Sequence, residues 1–399
     1  MRRSVLISGA SVAGPALAGW LGRCGFDVTV VELAPALRGG GAAVDFRGPV
    51  HRTVLERMGV LPELRRLQTG GSPMTFVDAH GRPQLHLPAE FAGGDVEVLR
   101  SDLSRLLHAR SADVADYVFG DRIASLTDTG DGVDVTFASG ARRSFDLVVG
   151  ADGVHSGVRR LAFGPEDHYV RHLGYYVATW ELPNHLGLTG GSLCHGKPGR
   201  MLSVGPDHRD ATRAHAFAIF RSPELDYDRH DLEQQRALVA HAFAGLGWEA
   251  PRLLAALESA PDLYFDSISR VDITPWSRGR VALLGDAACG ATLGGMGTGT
   301  VVVAAYVLAG ELVAANGDHR AAFERYESRM RGYAQACQKG GDRTGKFLAP
   351  GRFGGWLRNR LLGREVLLNW MLRQGEDLSS AIDLPHYDLT FVTGSDVER

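Results

Sequence analysis

Cysteine is scarce in this chain: four residues in 399, at Cys24, Cys194, Cys289 and Cys337, with no pair spaced C-x-x-C. That pattern argues against a zinc site and against a disulfide framework. An excess of one charge is missing as well. Lys and Arg number 43 against 46 Asp and Glu, a formal net charge of -3. Nothing global pulls such a chain toward nucleic acid or an anionic membrane. No uncharged apolar run reads as long enough to span a bilayer. The first strand begins almost at the first residue, so the expectation is a chain without a signal peptide, in the cytoplasm, with no stable membrane association. Internal repeats and low-complexity tracts are absent, apart from a polar end at 393–399.

Glycine is plentiful, with 51 residues, and implies many tight turns and close backbone approaches. The balance of 44% hydrophobic and 22% charged residues is that of a globular protein. The length suits two domains or three.

The first glycine cluster lies in residues 4–32, SVLISGASVAGPALAGWLGRCGFDVTVVE. The β-branched run 4–8 suits a buried parallel strand. Gly9, Ser11 and Gly14 follow as G-x-S-x-x-G. Pro15 stands near a helix start, where its missing N–H costs nothing. The helix runs to Cys24, and Gly25 ends it. A second apolar strand, 27–31, leads to Glu32. Strand, glycine turn, helix, strand and terminal acid form a dinucleotide-binding βαβ unit. Gly9 permits the tight turn, and Gly14 lets helix and strand close up. The helix start offers free N–H groups and a positive dipole end to a pyrophosphate. Glu32 can accept from ribose hydroxyls and would repel a 2′-phosphate. Ser11 departs from the usual middle glycine, at the expense of a less close phosphate approach.

Arg38 and Arg47 flank the glycines at 39–41. They either face phosphate or lie solvated on a surface loop. Residues 51–58 read as a helix, and 74–78 with 83–87 as strands. Arg100 sits where a strand passes into a helix, at 96–107. Residues 122–128, 133–138 and 143–145 suggest a small antiparallel meander. Next comes DLVVGADGVHSGVRR at 146–160: a buried strand, a turn carrying Asp152, and a helix opening at Ser156. Arg159 and Arg160 oppose the dipole of that helix start, so an acidic or phosphate partner is expected.

From 169 to 276 alternating strands replace the glycine motifs, at 175–181, 191–195, 200–205 and 215–220, with helices at 231–243 and 251–259. This reads as a second domain of antiparallel sheet. Tyr175, Tyr176, Trp180, Phe217, Phe220, Tyr264 and Phe265 either line a pocket for a flat molecule or pack the sheet. His195 and Arg221, at strand ends, are the polar groups chosen to face a substrate. Residues 276–312 bring a strand at 281–284, then Gly285 and Asp286, a glycine-dense loop and a long apolar helix. A helix start behind glycines is again suited to negative charge. Residues 319–338 form an amphipathic helix. Residues 352–373 read as a C-terminal helix packed across the domains.

Three motifs now stand in order: G-x-S-x-x-G with Glu32, DLVVGADGVHSGVR, and GRVALLGDAA. Together they resemble the single-component FAD-dependent monooxygenases, the flavoprotein aromatic hydroxylases of the p-hydroxybenzoate hydroxylase type. The resemblance implies an α/β fold: a Rossmann-like FAD-binding domain at 1–72, 97–168 and 277–345, an antiparallel-sheet substrate domain at 73–96 and 169–276, and C-terminal helices at 346–399. It implies non-covalent FAD, with NAD(P)H as a transient reductant and no second G-x-G-x-x-G to hold it. Gly9, Ser11 and Gly14 would meet the pyrophosphate, Glu32 the adenosine ribose, and Arg100 the FAD. Asp152 would be the acid of the second motif, touching FAD and passing NAD(P)H. Asp286 would hold the ribityl and phosphate region. Gly297 and Thr298 would aim N–H groups at the flavin pyrimidine edge.

The implied chemistry is oxygen addition at flavin C4a, followed by hydroxylation or epoxidation from the hydroperoxide. The substrate would be an electron-rich aromatic or polyene, polycyclic or polyketide-like, and the protein a monomer or homodimer. Such chemistry requires no nucleophilic triad. One departure leaves a rival open. After GDAA the family has His or Tyr and then proline; here the segment is CGATLGGMG, with Cys289 and no proline. A redox-neutral enzyme that keeps FAD as a scaffold, such as a cyclase, is the alternative.

Overall fold

The computed structural model describes residues 3–37, 39, 43–71, 73–89, 94–260, 263–290, 297–341, 344–351 and 381–389. Its first layer is a six-stranded sheet. From edge to edge the strands are Ser277–Arg278, Val281–Leu283, Leu147–Gly150, Ser4–Ser8, Asp27–Glu32 and Asp116–Phe119. Neighbours are parallel, except that Ser277–Arg278 runs antiparallel. Val5, Leu6 and Ile7 are buried in a continuous run, and so are Leu147, Val148 and Val149. A parallel sheet covered on both faces produces that unbroken pattern.

Helix Ala13–Arg23 packs on this sheet and against helix Gly297–Ala314. The latter is buried on every side from Gly299 to Leu312, so it is a core helix. By length and composition it is long and apolar enough to cross a membrane, a test that buried core helices also pass. Its apolar surface is met by protein on all sides. A three-stranded meander follows the expected segments, Ile123–Asp128, Val133–Phe137 and Arg142–Phe145.

The second large sheet has seven strands, in the order Tyr264–Val271, Val170–Pro183, Arg213–Arg221, Arg200–Pro206, Ser192–Lys197, Met74–Val77 and Pro83–Leu87. It is antiparallel except where Ser192–Lys197 meets Met74–Val77. Period-two alternation gives it two unlike faces. On one, Tyr176, Trp180, Leu202, Ala216, Phe220 and Phe265 pack under helices Leu232–Phe243 and Ala250–Glu258. Tyr176 stacks there on Phe220 and Phe265, with ring centres 5.7 and 5.3 Å apart. The other face carries Tyr175, Val177, Cys194, Met201, Ile219 and Ile268, with Phe347 and Leu348 of helix Thr344–Leu348 against it.

Of the expected C-terminal helices, residues 352–373 lie outside the described residues. Residues 381–389 contain no helix. They dock on the core helix through Tyr387, whose hydroxyl donates to Glu311 at 2.6 Å. Its ring fills the space beside Gly310, where a Cβ would come within 2.1 Å of it.

Candidate cofactor and substrate site

The glycine turn is closed by contact. Gly9 has φ +109°, and a Cβ there would lie 2.5 Å from the Ala151 carbonyl oxygen. A Cβ on Gly14 would lie 1.9 Å from the Gly9 carbonyl oxygen. First strand, first helix and the 151–156 turn are therefore pressed together at one point. Val12 caps the helix without a side-chain hydrogen bond, so the first-turn N–H groups remain available. Glu32 receives two backbone N–H groups, from Ala10 at 2.8 Å and Ala34 at 2.9 Å. Each carboxylate oxygen keeps a lone pair for a ribose hydroxyl. Arg100, exposed at the start of helix Arg100–Ala109, donates to Ser11 Oγ at 3.3 Å. Its positive charge therefore sits over the same turn.

The two later motifs differ in how their acids are used. Asp152 is spent within the protein. Its carboxylate accepts from the Ser156 hydroxyl and, at 3.1 Å, from the Val158 N–H. Ser8 Oγ donates to it at 3.4 Å. Burial raises its pKa against these hydrogen bonds. Asp286 opens the short helix Asp286–Cys289, half-buried, and its carboxylate makes no hydrogen bond among the described residues. Burial pushes its pKa up and the Arg100 charge pulls it down. An acid of this kind is prepared for an external hydroxyl or amide donor. Gly297 and Thr298 are half-buried and open the long helix.

Arg47 pairs with the buried carboxylate of Asp45. Its charge is thus balanced inside the strand pair Ala43–Phe46 and Val96–Leu99, where Asp45 stands opposite Glu97. Burial drives the Asp45 pKa up to about 6, despite the Arg47 charge beside it. Arg38 lies outside the described residues, as do 291–296 of the glycine loop.

His195 requires a correction. It does not face a substrate space: it is buried, its Nδ1 meets the Val77 carbonyl at 2.9 Å, and its ring packs 5.8 Å from Trp248. Parity explains the error, since His195 lies one residue from Cys194 and so on the opposite, helix-covered face. Arg221 is exposed and shares the other face, that of Tyr175 and Val177, with Ile219. The same parity brings a further pair onto this face. His215, in step with Phe217, Ile219 and Arg221, meets Asp207 Oδ2 at 2.6 Å. A row of paired residues crosses this face: Tyr264, Thr179, Phe217, Ser203, Cys194 and Phe76. Tyr264 is exposed, and Thr179 and Phe217 are half-buried. Of the seven aromatics named from sequence, Tyr175, Phe217 and Tyr264 belong to this face, and the others to the packed one. Asp266, also in step with Tyr264, reaches His155 of the 151–156 turn at 3.1 Å. This face of the sheet therefore looks toward the parallel layer.

A glycine cradle, a bare helix start, a ribose-type acid, a cation over the turn and an acid beside it that has no hydrogen bond among the described residues fit FAD. The FAD binding domain family model matches residues 2–339. An uncharacterized protein of Mycobacterium tuberculosis is 44% identical over 84% of this chain and 92% of its own length. A flavin-dependent monooxygenase of Legionella longbeachae is 34% identical over 96% of this chain and 98% of its own. Among solved structures, the tetracycline destructase Tet(51) superposes with a TM-score of 0.86 at 31% identity, covering 97% of this chain and 100% of that one. The chain belongs to the FAD binding domain family of aromatic-hydroxylase type and is an FAD-dependent monooxygenase.

Proposed function

We propose that this monooxygenase hydroxylates or epoxidises an electron-rich, polycyclic, polyketide-like small molecule, with NAD(P)H as its transient reductant. The observation that carries this is the half-open row Tyr264–Thr179–Phe217, ending at buried Ser203, on the sheet face turned to the parallel layer, with a His215–Asp207 pair beside it. A flat apolar body fits the row, and a polar substituent fits the imidazole. Likeness to the tetracycline destructases Tet(51) and Tet(55) points the same way.

In this reading the cofactor domain is 1–72, 97–168 and 277–345, and the substrate domain 73–96 and 169–276. Gly9, Ser11 and Gly14 hold the pyrophosphate with Arg100 above them. Glu32 receives the ribose, and Asp286 the ribityl and phosphate region. Bound FAD, once reduced, supplies activated oxygen to the substrate. The chain's own tasks are to place the substrate, exclude water and hold charge. Gly297 and Thr298 offer N–H groups to negative charge at the pyrimidine edge. His215 fixes one substrate oxygen, its ring oriented by Asp207. The enzyme acts in the cytoplasm as a monomer or homodimer.

The test is to titrate tetracyclines and other polycyclic phenols while following NAD(P)H oxidation under labelled O2. Substrate-stimulated oxidation with label in the product is expected. Product formed without label, while FAD stays oxidised, would install the redox-neutral alternative.

A further inference from the structure

His51 lies in helix Gly48–Arg57, remote in sequence from all three motifs, and is almost fully buried. Both ring nitrogens are engaged. Nδ1 accepts the backbone N–H of Arg47 at 3.0 Å, which leaves the proton on Nε2. Nε2 then donates to the Tyr333 hydroxyl at 2.7 Å. The ring also fills a gap. A Cβ on Gly299 would lie between 2.1 and 2.4 Å from three of its atoms. The imidazole therefore stands where a side chain of residue 299 would stand, in the first turn of helix Gly297–Ala314.

Tyr333, from helix His319–Gly341, extends the link. Its hydroxyl shares hydrogen bonds with Thr300, also in that first turn, and with Cys337. Thr300 and Tyr333 are both buried. Three helices thus meet through one ring. Burial, reinforced by the Arg47 charge, pushes His51 down to about 4, so the ring is neutral and its hydrogen-bond roles are fixed near neutral pH.

The helix start needs such support. Gly297 and Gly299 flank Thr298, and glycine backbone is the freest to reorient. The benefit of a helix start to negative charge falls off within one turn, so the direction of its N–H groups matters. We propose that His51 is a positioning residue, which holds the first turn of helix Gly297–Ala314 in place against the flavin pyrimidine edge. This rests on the role given above to Gly297 and Thr298.

Two substitutions separate the two ends of the ring. His51→Asn keeps an acceptor near Nδ1 for the Arg47 N–H but cannot reach Tyr333. His51→Gln places an amide N–H near Nε2. The measurement is the two-electron midpoint potential of FAD bound to each protein, alongside melting temperature and FAD stoichiometry. His51→Asn is expected to lose about tenfold in preference for reduced over oxidised flavin, a negative shift of about 30 mV. His51→Gln should stay near wild type, although both variants lose stability to a similar degree. A wild-type potential in His51→Asn overturns the proposal. So does an equal shift in both variants, which is what lost packing alone would give. Should His51→Asn not fold, Gly299→Ala expels the ring with its own Cβ and carries the same expectation and the same refutation. If the wild-type protein binds FAD without favouring its reduced form over the free cofactor, the role of the helix start itself is wrong. If wild type favours it and the variants do not change, only His51 is at fault.

Discussion

The Arg159 guanidinium, fully buried, donates to the Ala287 carbonyl at 2.9 Å. One residue belongs to the second motif and the other to the third. Its other amino group donates to the Val154 carbonyl at 2.5 Å, and Glu166 lies 3.8 Å away. The two motifs are therefore one hydrogen-bonded unit. The dipole of the helix start calls for an acid or phosphate opposite this arginine. Backbone carbonyls are its closest partners, and Glu166 balances the charge.

Arg159→Leu should therefore strip two carbonyls of their donor at once. Each unpaired buried group costs about 1–3 kcal/mol. We expect a drop in melting temperature together with weaker FAD retention. Arg159→Lys should recover only part of both, because an ammonium cannot fork to two acceptors in a plane. Thermal unfolding and FAD titration read the two effects; an Arg159→Leu protein as stable as wild type would contradict the link.

Asp286 and Asp152 should separate cleanly. Asp286→Ala removes a carboxylate without hydrogen bonds among the described residues, so the apo protein should melt near wild type while FAD binding weakens by about 1.5–3 kcal/mol. Asp152→Ala removes partners of Ser156 and Val158 at the start of helix Gly157–Ala162, and should cost about 0.5–2 kcal/mol of stability. Equal FAD dissociation constants for wild type and Asp286→Ala would reject its role.

His155 should make stability depend on pH. Burial pulls its pKa down, but hydrogen bonds to Asp266 and Glu166 outweigh it and leave the pKa raised. Arg229, which pairs with Glu166, opposes the shift from nearby. A group with a raised folded pKa contributes fully below its unfolded value, near 6.5, and loses that contribution as pH rises through the folded value. Burial would raise Glu166, yet His155 and Arg229 hold it down to about 2, so it fails only in strong acid. The melting deficit of His155→Gln should thus be largest near pH 6 and shrink by pH 9. A deficit that does not vary over that range would count against a charged His155.

His215 and His195 should behave as opposites. His215→Ala should lower kcat/KM by about tenfold, the loss of one hydrogen bond of roughly 1.4 kcal/mol, with little change in stability. His195→Ala removes a packed ring and its bond to Val77, so stability should fall while kcat/KM per folded enzyme holds. Steady-state kinetics beside thermal melts tell them apart.

Much of this molecule was legible in its sequence, and the reasons are local. The G-x-S-x-x-G turn, Glu32 and the buried strands are specified by contacts within a few residues or by unbroken apolar runs. Arg100 could be singled out by its junction, and its place over Ser11 needed only the fold that the motifs imply. The His215–Asp207 pair is readable from strand parity in RAHAFAIFR, which matches His215 to Phe217 and Ile219, whereas the strand-end position of His195 says nothing of its face. Other features had no local mark. His51 looks like any polar residue on an amphipathic helix until a glycine 248 positions later leaves room for its ring. The docking of 381–389 depends likewise on Gly310 and on the buried acid beside it.

Those two glycines, Gly299 and Gly310, stand eleven residues apart, about three turns along the same helix. Each admits a ring lent by a distant segment: His51 at one, Tyr387 at the other. The helix is consequently not an interchangeable part. A chimera that imports residues 297–314 from a relative with bulkier residues at these points would collide with both rings. One that keeps the helix but replaces either lending segment would leave a hole. A library of crossovers between this chain and its relatives should therefore be designed so that these three segments travel together.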